Sequence, residues 1–154
     1  MARLIRLDII NGNPRSFVAE ANLEQGLFLE IIGKAANEHL GVEADYEAYE
    51  VQLANNATVR GQLMLHASVA NQYDERKSEV DFVLEAGRVG RGYQPIMGDI
   101  VTIPRVEGVN VGDKLGLGAN GLLVKGGDLA IVEAIEDINV PEADAQESMV
   151  IRFL

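Results

Sequence analysis

Apolar residues in this chain come in short runs that end on glycine, asparagine, aspartate or proline. From residue 46 onward the runs YEAYEVQLA, TVRGQLMLHASVA, VDFVLEAG, IMGDIVTIP, VGDKLGLG, GLLVKG and DLAIVEAIED follow at close spacing, and SMVIRFL is a last strand candidate. Many short strands with glycine-rich turns predict a mainly β fold, a small β-barrel or a sandwich. Residues 3–10 predict a further strand, with Ile5, Leu7 and Ile9 on one face and Arg6 and Asp8 on the other. Asn11-Gly12-Asn13-Pro14 should stop it, since proline cannot donate to a ladder. Residues 22–40 carry a helical stripe (Leu23, Leu27, Ile31, Ala35) that Gly26 and Gly33 weaken, and they are read as a strand at 27–32 followed by a short helix near 34–40. No helix longer than about three turns is expected. NQYDERKSE at 71–79 reads as a charged break and PEADAQES at 141–148 as an acidic loop. No linker divides the chain, so residues 1–154 read as one domain.

A turn device recurs. MGDIVTI at 97–103, VGDKLGL at 111–117 and GGDLAIV at 126–132 each set Gly-Asp before an apolar run, and EQGLFLEI at 24–31 is a looser version. Glycine supplies positive φ, and aspartate bonds its own backbone. The same region contains GLGANG, in which Gly116, Gly118 and Gly121 spell the dinucleotide-binding spacing G-x-G-x-x-G. That fingerprint needs a helix opening on its third glycine, whereas LLVKGGD follows here. Asn120-Gly121 is the stronger signal, because a type I′ hairpin turn requires positive φ at both central residues. These glycines are expected to turn corners, with no cofactor.

Composition narrows the function classes. The chain has 13 basic and 24 acidic side chains, a formal charge of −11, which disfavours binding to phosphate backbones. Aromatic residues make up 5% and there is no tryptophan, so the core must be largely aliphatic. Cysteine is absent, which excludes disulfides, thiolate nucleophiles and cysteine zinc sites and fits a reducing compartment. The amino-terminal MARLIRLDIINGNPRS has no continuous apolar stretch, so neither a signal peptide nor a membrane span is expected, and the chain reads as soluble and cytoplasmic when made.

Candidate chemistry is sparse. Gly33-Lys34 is followed by Ala35, so no phosphate loop forms. His66, in the run LMLHASV, is expected to be a satisfied, partly buried histidine; His39 ends the short helix, where a cation suits the carbonyl-rich terminus. Ser16, Ser68, Ser78 and Ser148 lack a nucleophile elbow. The acidic groups Glu43, Asp45, Glu47, Glu50 and Glu133, Glu136, Asp137, Glu142, Asp144 lack the ligand order of a calcium loop and read as solvated faces. No catalytic, cofactor or metal residue is assigned. Arg88 and Arg91, in AGRVGRGYQP, place two cations in a glycine-flanked loop of an acidic chain. Two readings stand for them: a solvated loop with local salt bridges, or guanidinium forks that recognise carboxylates on another protein.

The segments LEQGLFLEI near the start and AGRVGRGYQPIMGDIVTIPRVEGVNVGDKLGLGANGLLVKGGDLAIVEA later resemble the capsid decoration (head-stabilising, or cement) proteins of tailed bacteriophages. The likeness covers the chain well from about residue 85 and loosely before it, and its motifs are turn patterns, not catalytic signatures. The resemblance implies a small β-barrel or β-tulip on the outside of the virion shell, commonly a trimer, bound across junctions of the major capsid protein. It implies neither enzyme activity nor nucleic-acid or membrane partners. The terminal segments, about 1–16 and 141–154, read as strands whose free edges are candidates for inter-subunit contacts. Two alternatives stay open. One is another virion component, such as a minor capsid, head–tail or tail-tube protein; the other is a small β-barrel ligand-binding module or enzyme.

Overall fold

The computed structural model describes residues 6–9, 12–24, 26–34, 48–68, 83–126, 130–140 and 146–154. These are mainly β, with no helix of seven or more residues among them. Strands β2 (Asn13–Val18), β4 (Phe28–Lys34), β5 (Ala48–Leu53), β6 (Leu63–His66) and β8 (Val89–Gln94) close into a barrel in the order β2-β5-β4-β6-β8. The β2–β5 pair is parallel and the others are antiparallel. A second body is built from β1 (Arg6–Ile9), β9 (Ile100–Pro104), β10 (Lys114–Leu117), β11 (Leu123–Lys125), β12 (Ala130–Val140) and β13 (Gln146–Phe153). It is a six-stranded half-barrel sheet in the order β1-β9-β13-β12-β10-β11. A ribbon of β3 (Leu23–Glu24) and β7 (Val83–Leu84) brings Leu23 and Leu84 onto the barrel's interior cluster.

Strand alternation lets the two bodies share a wall. In β6, Leu63 and Leu65 join the core against the sheet while Met64 joins the barrel interior, so both faces are buried. Phe28 and Leu29 of β4 divide in the same way. The interior cluster is Phe17, Ala19, Leu23, Leu29, Val51, Met64 and Leu84. The larger cluster packs Phe28, Leu63, Leu65 and Tyr93 against Val101, Leu115, Val132, Met149, Ile151 and Phe153. Phe153 joins the two sides, edge-on to Phe28 at 6.2 Å and to Tyr93 at 6.5 Å.

The repeated turn is one device used four times. At Gly98 (φ 92°) and Gly112 (φ 94°) the following aspartate takes an N–H from three residues back. Ile96 N–H donates to Asp99 Oδ2 at 3.1 Å, and Asn110 N–H donates to Asp113 Oδ2 at 2.8 Å. Each turn then docks on a neighbouring strand through two backbone bonds. Gly98 N–H donates to Phe153 C=O (2.8 Å) and Phe153 N–H to Asp99 C=O (2.9 Å); Gly112, Asp113 and Ala134 repeat the pattern at 2.8 and 2.9 Å. Gly26 (φ 82°) docks on His66 at 2.9 and 2.9 Å, and Gly87 (φ 83°) docks on Ala19 at 2.6 and 3.0 Å. A strand begins two residues after each of these glycines. The Gly87 copy lacks the aspartate, which hid it in the sequence. Of the third Gly-Asp motif, Gly126 has positive φ and residues 127–129 fall outside the described ones.

GLGANG is a hairpin. Gly116 lies in β10, Asn120 (φ 58°, ψ 34°) and Gly121 (φ 72°) both sit at positive φ, and β11 follows. Leu122 N–H closes the turn on Ala119 C=O at 3.3 Å. The tip also joins the two bodies, since Gly121 N–H donates to Ala54 C=O at 2.8 Å and a Cβ at Gly121 would overlap the Phe28 carbonyl.

Four expectations need correction, the first being the acidic loop at 141–148, whose Gln146–Ser148 already belong to β13 and pair with β12. The stop at residues 11–14 is shorter than expected, because β2 resumes at Asn13 and carries Pro14. Proline is tolerated there because β5 joins β2 only from Ser16, leaving one side with no ladder to break. AGRVGRGYQP is a strand over 89–94, not a loop. Its Gly90 and Gly92 face the barrel interior, where a Cβ would overlap Leu84 at one and Met64 at the other. Finally, the carboxyl-terminal strand β13 is no edge, since it lies between β9 and β12; among the described residues β1 keeps a single neighbour. The strand expected at 27–32 is β4, and the helix expected near 34–40 lies outside the described residues apart from Lys34, which ends β4.

Candidate functional site

Arg88 ends the Gly87 turn, and Arg91 stands on β8 opposite Ser16 of β2. Both side chains are exposed, and neither forms an ion pair with a described residue. The ion pairs seen are elsewhere, Lys125–Asp113 at 3.0 Å and Arg152–Glu133 at 2.8 Å, both on the six-stranded sheet. The Arg91 side chain is exposed while its main chain is fixed: its N–H donates to Ser68 Oγ at 3.0 Å and its C=O accepts from Ala67 N–H at 3.0 Å. The barrel therefore presents one guanidinium group from the strand β8 and the other from the docked turn just before it.

Behind Arg91 lies a buried polar network. His66 is fully buried, edge-on to Phe17 at 5.3 Å. Its Nδ1 is 2.8 Å from the Glu24 carbonyl, which only accepts, so Nδ1 carries the proton. Nε2 then accepts from Ser68 Oγ–H at 2.8 Å, and the hydroxyl oxygen takes the Arg91 N–H. Burial depresses the imidazole pKa from 6.5 to about 4, and the bond to Glu24 C=O offsets part of that. The ring is thus neutral at pH 7 and ties the 24–27 turn, the end of β6 and β8 together. A Ser–His contact of this length has nucleophile–base geometry, but Ser68 is 5% exposed and its partner is a weak base.

Two further buried polar groups sit at the junction of the bodies. Asp99 Oδ2 accepts from Gly12 N–H at 3.0 Å as well as from Ile96, pinning the corner between β1 and β2. Gly12 is required there, since a Cβ would overlap the Gln94 carbonyl. Tyr93 Oη is buried without a hydrogen-bond partner among the described residues, and burial, helped by the Asp99 carboxylate, pushes its pKa far up.

The remaining candidates do not converge. Ser16, Glu50 and Ser148 lie on β2, β5 and β13, and Glu133, Glu136 and Asp137 on β12. His39, Glu43, Asp45, Glu47, Ser78, Glu142 and Asp144 fall outside the described residues. Among the described residues no group of three or more His, Asp or Glu is placed to hold a metal, and no helix is long and apolar enough to cross a membrane. Sequence reasoning missed the Ser68–His66–Arg91 link, whose signal was the H-x-S spacing that puts two polar side chains on one face at a strand end. No protein-family model matches the chain, and no curated protein matches it.

Proposed function

We propose that this is a structural virion protein that binds the outer surface of a tailed-phage capsid and stabilises the shell. The reading starts from the turn patterns of residues 86–134, and the observation that carries it furthest is the exposed pair Arg88 and Arg91. These are two cations without an ionic partner among the described residues, held on a closed barrel within a chain of net charge −11. The partner is the major capsid protein, with further copies of this chain, most simply a trimer, around it. Repetition over a symmetric oligomer raises avidity, so each contact can be weak. The test is titration of purified protein onto undecorated mature heads, followed by heat or low-salt challenge. Saturable binding with longer survival of decorated heads is expected; equal survival would remove the stabilising role.

One observation favours a second reading, a small β-barrel enzyme: the 2.8 Å Ser68–His66 contact. A fluorophosphonate probe separates the two. Ser68 should stay unlabelled in the folded protein, and stoichiometric labelling at Ser68 would favour catalysis.

A further inference from the structure

We propose that the start of β8, with Arg88, Val89 and Arg91, and the Ile96–Gly98 turn beyond its end form one binding face for an acidic protein surface, steered by arginines and seated by apolar side chains. The inference rests on the decoration reading for the identity of that partner, the capsid shell, and adds where and how it is held.

Charge is segregated along the chain. Residues 12–19 and 88–98 contain Arg15, Arg88 and Arg91 and no acidic residue, whereas the rest of the protein holds all 24 acidic side chains against ten basic ones. These two segments are the paired strands β2 and β8 with their flanks. Arg88, Val89 and Arg91 are exposed at the start of β8, while half-buried Arg15 pairs with inward-facing Gly92 and lies on the other face. The second segment also exposes apolar surface: Val89 is 39%, Ile96 47% and Met97 78% exposed. An isolated exposed apolar residue is ordinary, but three beside two exposed arginines give the mixed chemistry of a protein interface.

This face is also rigid. Gly98 docks on Phe153, Asp99 holds Ile96 N–H, and Gln94 accepts from Arg15 Nε at 3.0 Å while donating to Gly61 C=O at 3.2 Å. A pre-ordered tip loses little conformational freedom on binding. Spaced guanidinium forks suit carboxylates. A nucleic acid is the poorer fit, because its affinity needs many clustered cations and two stand here on an acidic protein.

The test uses the full chain and undecorated heads at two salt concentrations, with thermal unfolding as the fold check. Ile96→Ser with Met97→Ser should weaken binding about tenfold or more at either salt. Arg88→Ser with Arg91→Ser should weaken it mainly at low salt and flatten the salt dependence. Val111→Ser, at the matching turn before β10, should bind like wild type. The single change Met97→Gln, at a residue 78% exposed, serves if the double variant fails to fold. Wild type binding with both double variants equally tight overturns this inference and leaves the decoration reading standing. Wild type failing to bind heads overturns the decoration reading and this inference with it. Arginine-dependent binding to a short DNA duplex, with heads unbound, would assign the face to nucleic acid instead.

Discussion

The barrel and the six-stranded sheet use the same docked turn, yet they close differently. Each barrel strand has two partners, so the barrel has no edge, whereas β1 and β11 end the sheet with one partner each among the described residues. The barrel interior is narrow enough to require Gly90 and Gly92, and it encloses a histidine. The sheet buries one face against the barrel and carries on the other a row in which Lys114, Glu133, Arg152 and Ile100 lie side by side. Closure makes the barrel sensitive to volume and to buried charge. The open sheet leaves Lys114, Lys125 and Arg152 exposed and Glu133 half-exposed to water, where such charges contribute little.

The largest effect should come from separating the two bodies. Gly121→Ala meets both a positive φ and the Phe28 carbonyl, so a loss of about 3–5 kcal/mol is expected in urea unfolding. Gly61→Ala, with open space and no positive φ, should change stability by less than about 1 kcal/mol.

Acid should weaken the barrel next. His66 has its pKa depressed from 6.5 to about 4 in the folded state, so the unfolded chain binds the proton first as pH falls. Its contribution is intact above pH 6.5 and is lost between there and pH 4, about 3 kcal/mol in full. His66→Gln should flatten the pH dependence of the unfolding midpoint across that window, and an unchanged slope would show that the imidazole is not the responsible group.

Smaller effects sharpen the contrast. Tyr93→Phe removes a buried hydroxyl with no described partner and should leave stability within about 1 kcal/mol of wild type or raise it. Arg152→Ala breaks the exposed pair with Glu133 and should cost at most about 0.5 kcal/mol, less still in high salt.

The fold class was legible because glycine, aspartate and asparagine punctuate nearly every apolar run, and Asn120-Gly121 formed the turn that its φ requirement predicts. The division into barrel and sheet was not legible. Leu63, Met64 and Leu65 read as one apolar run, and only the fold shows that they face two different cores. Gly90 and Gly92 misled because a glycine that makes room looks the same in sequence as one that turns. Arg88 and Arg91 stood out by charge, but the setting of Arg91 on a barrel strand, with Arg88 in the turn before it, depends on pairing with β2, far away in the chain.

That distant pairing has a kinetic consequence. Arg6 meets Thr102 and Asn13 meets Gln94, so β1 waits for its neighbour, and β2 for the second of its two, until roughly eighty to one hundred further residues have been made. Closing such loops carries an entropic cost before any contact rewards it, which places folding in the slow all-β range of roughly milliseconds to seconds. Until β9 arrives β1 lacks its neighbour, and until β8 arrives the β2–β5 pair leaves one edge of β2 open on a ribosome-bound chain. That interval is the protein's principal exposure to aggregation.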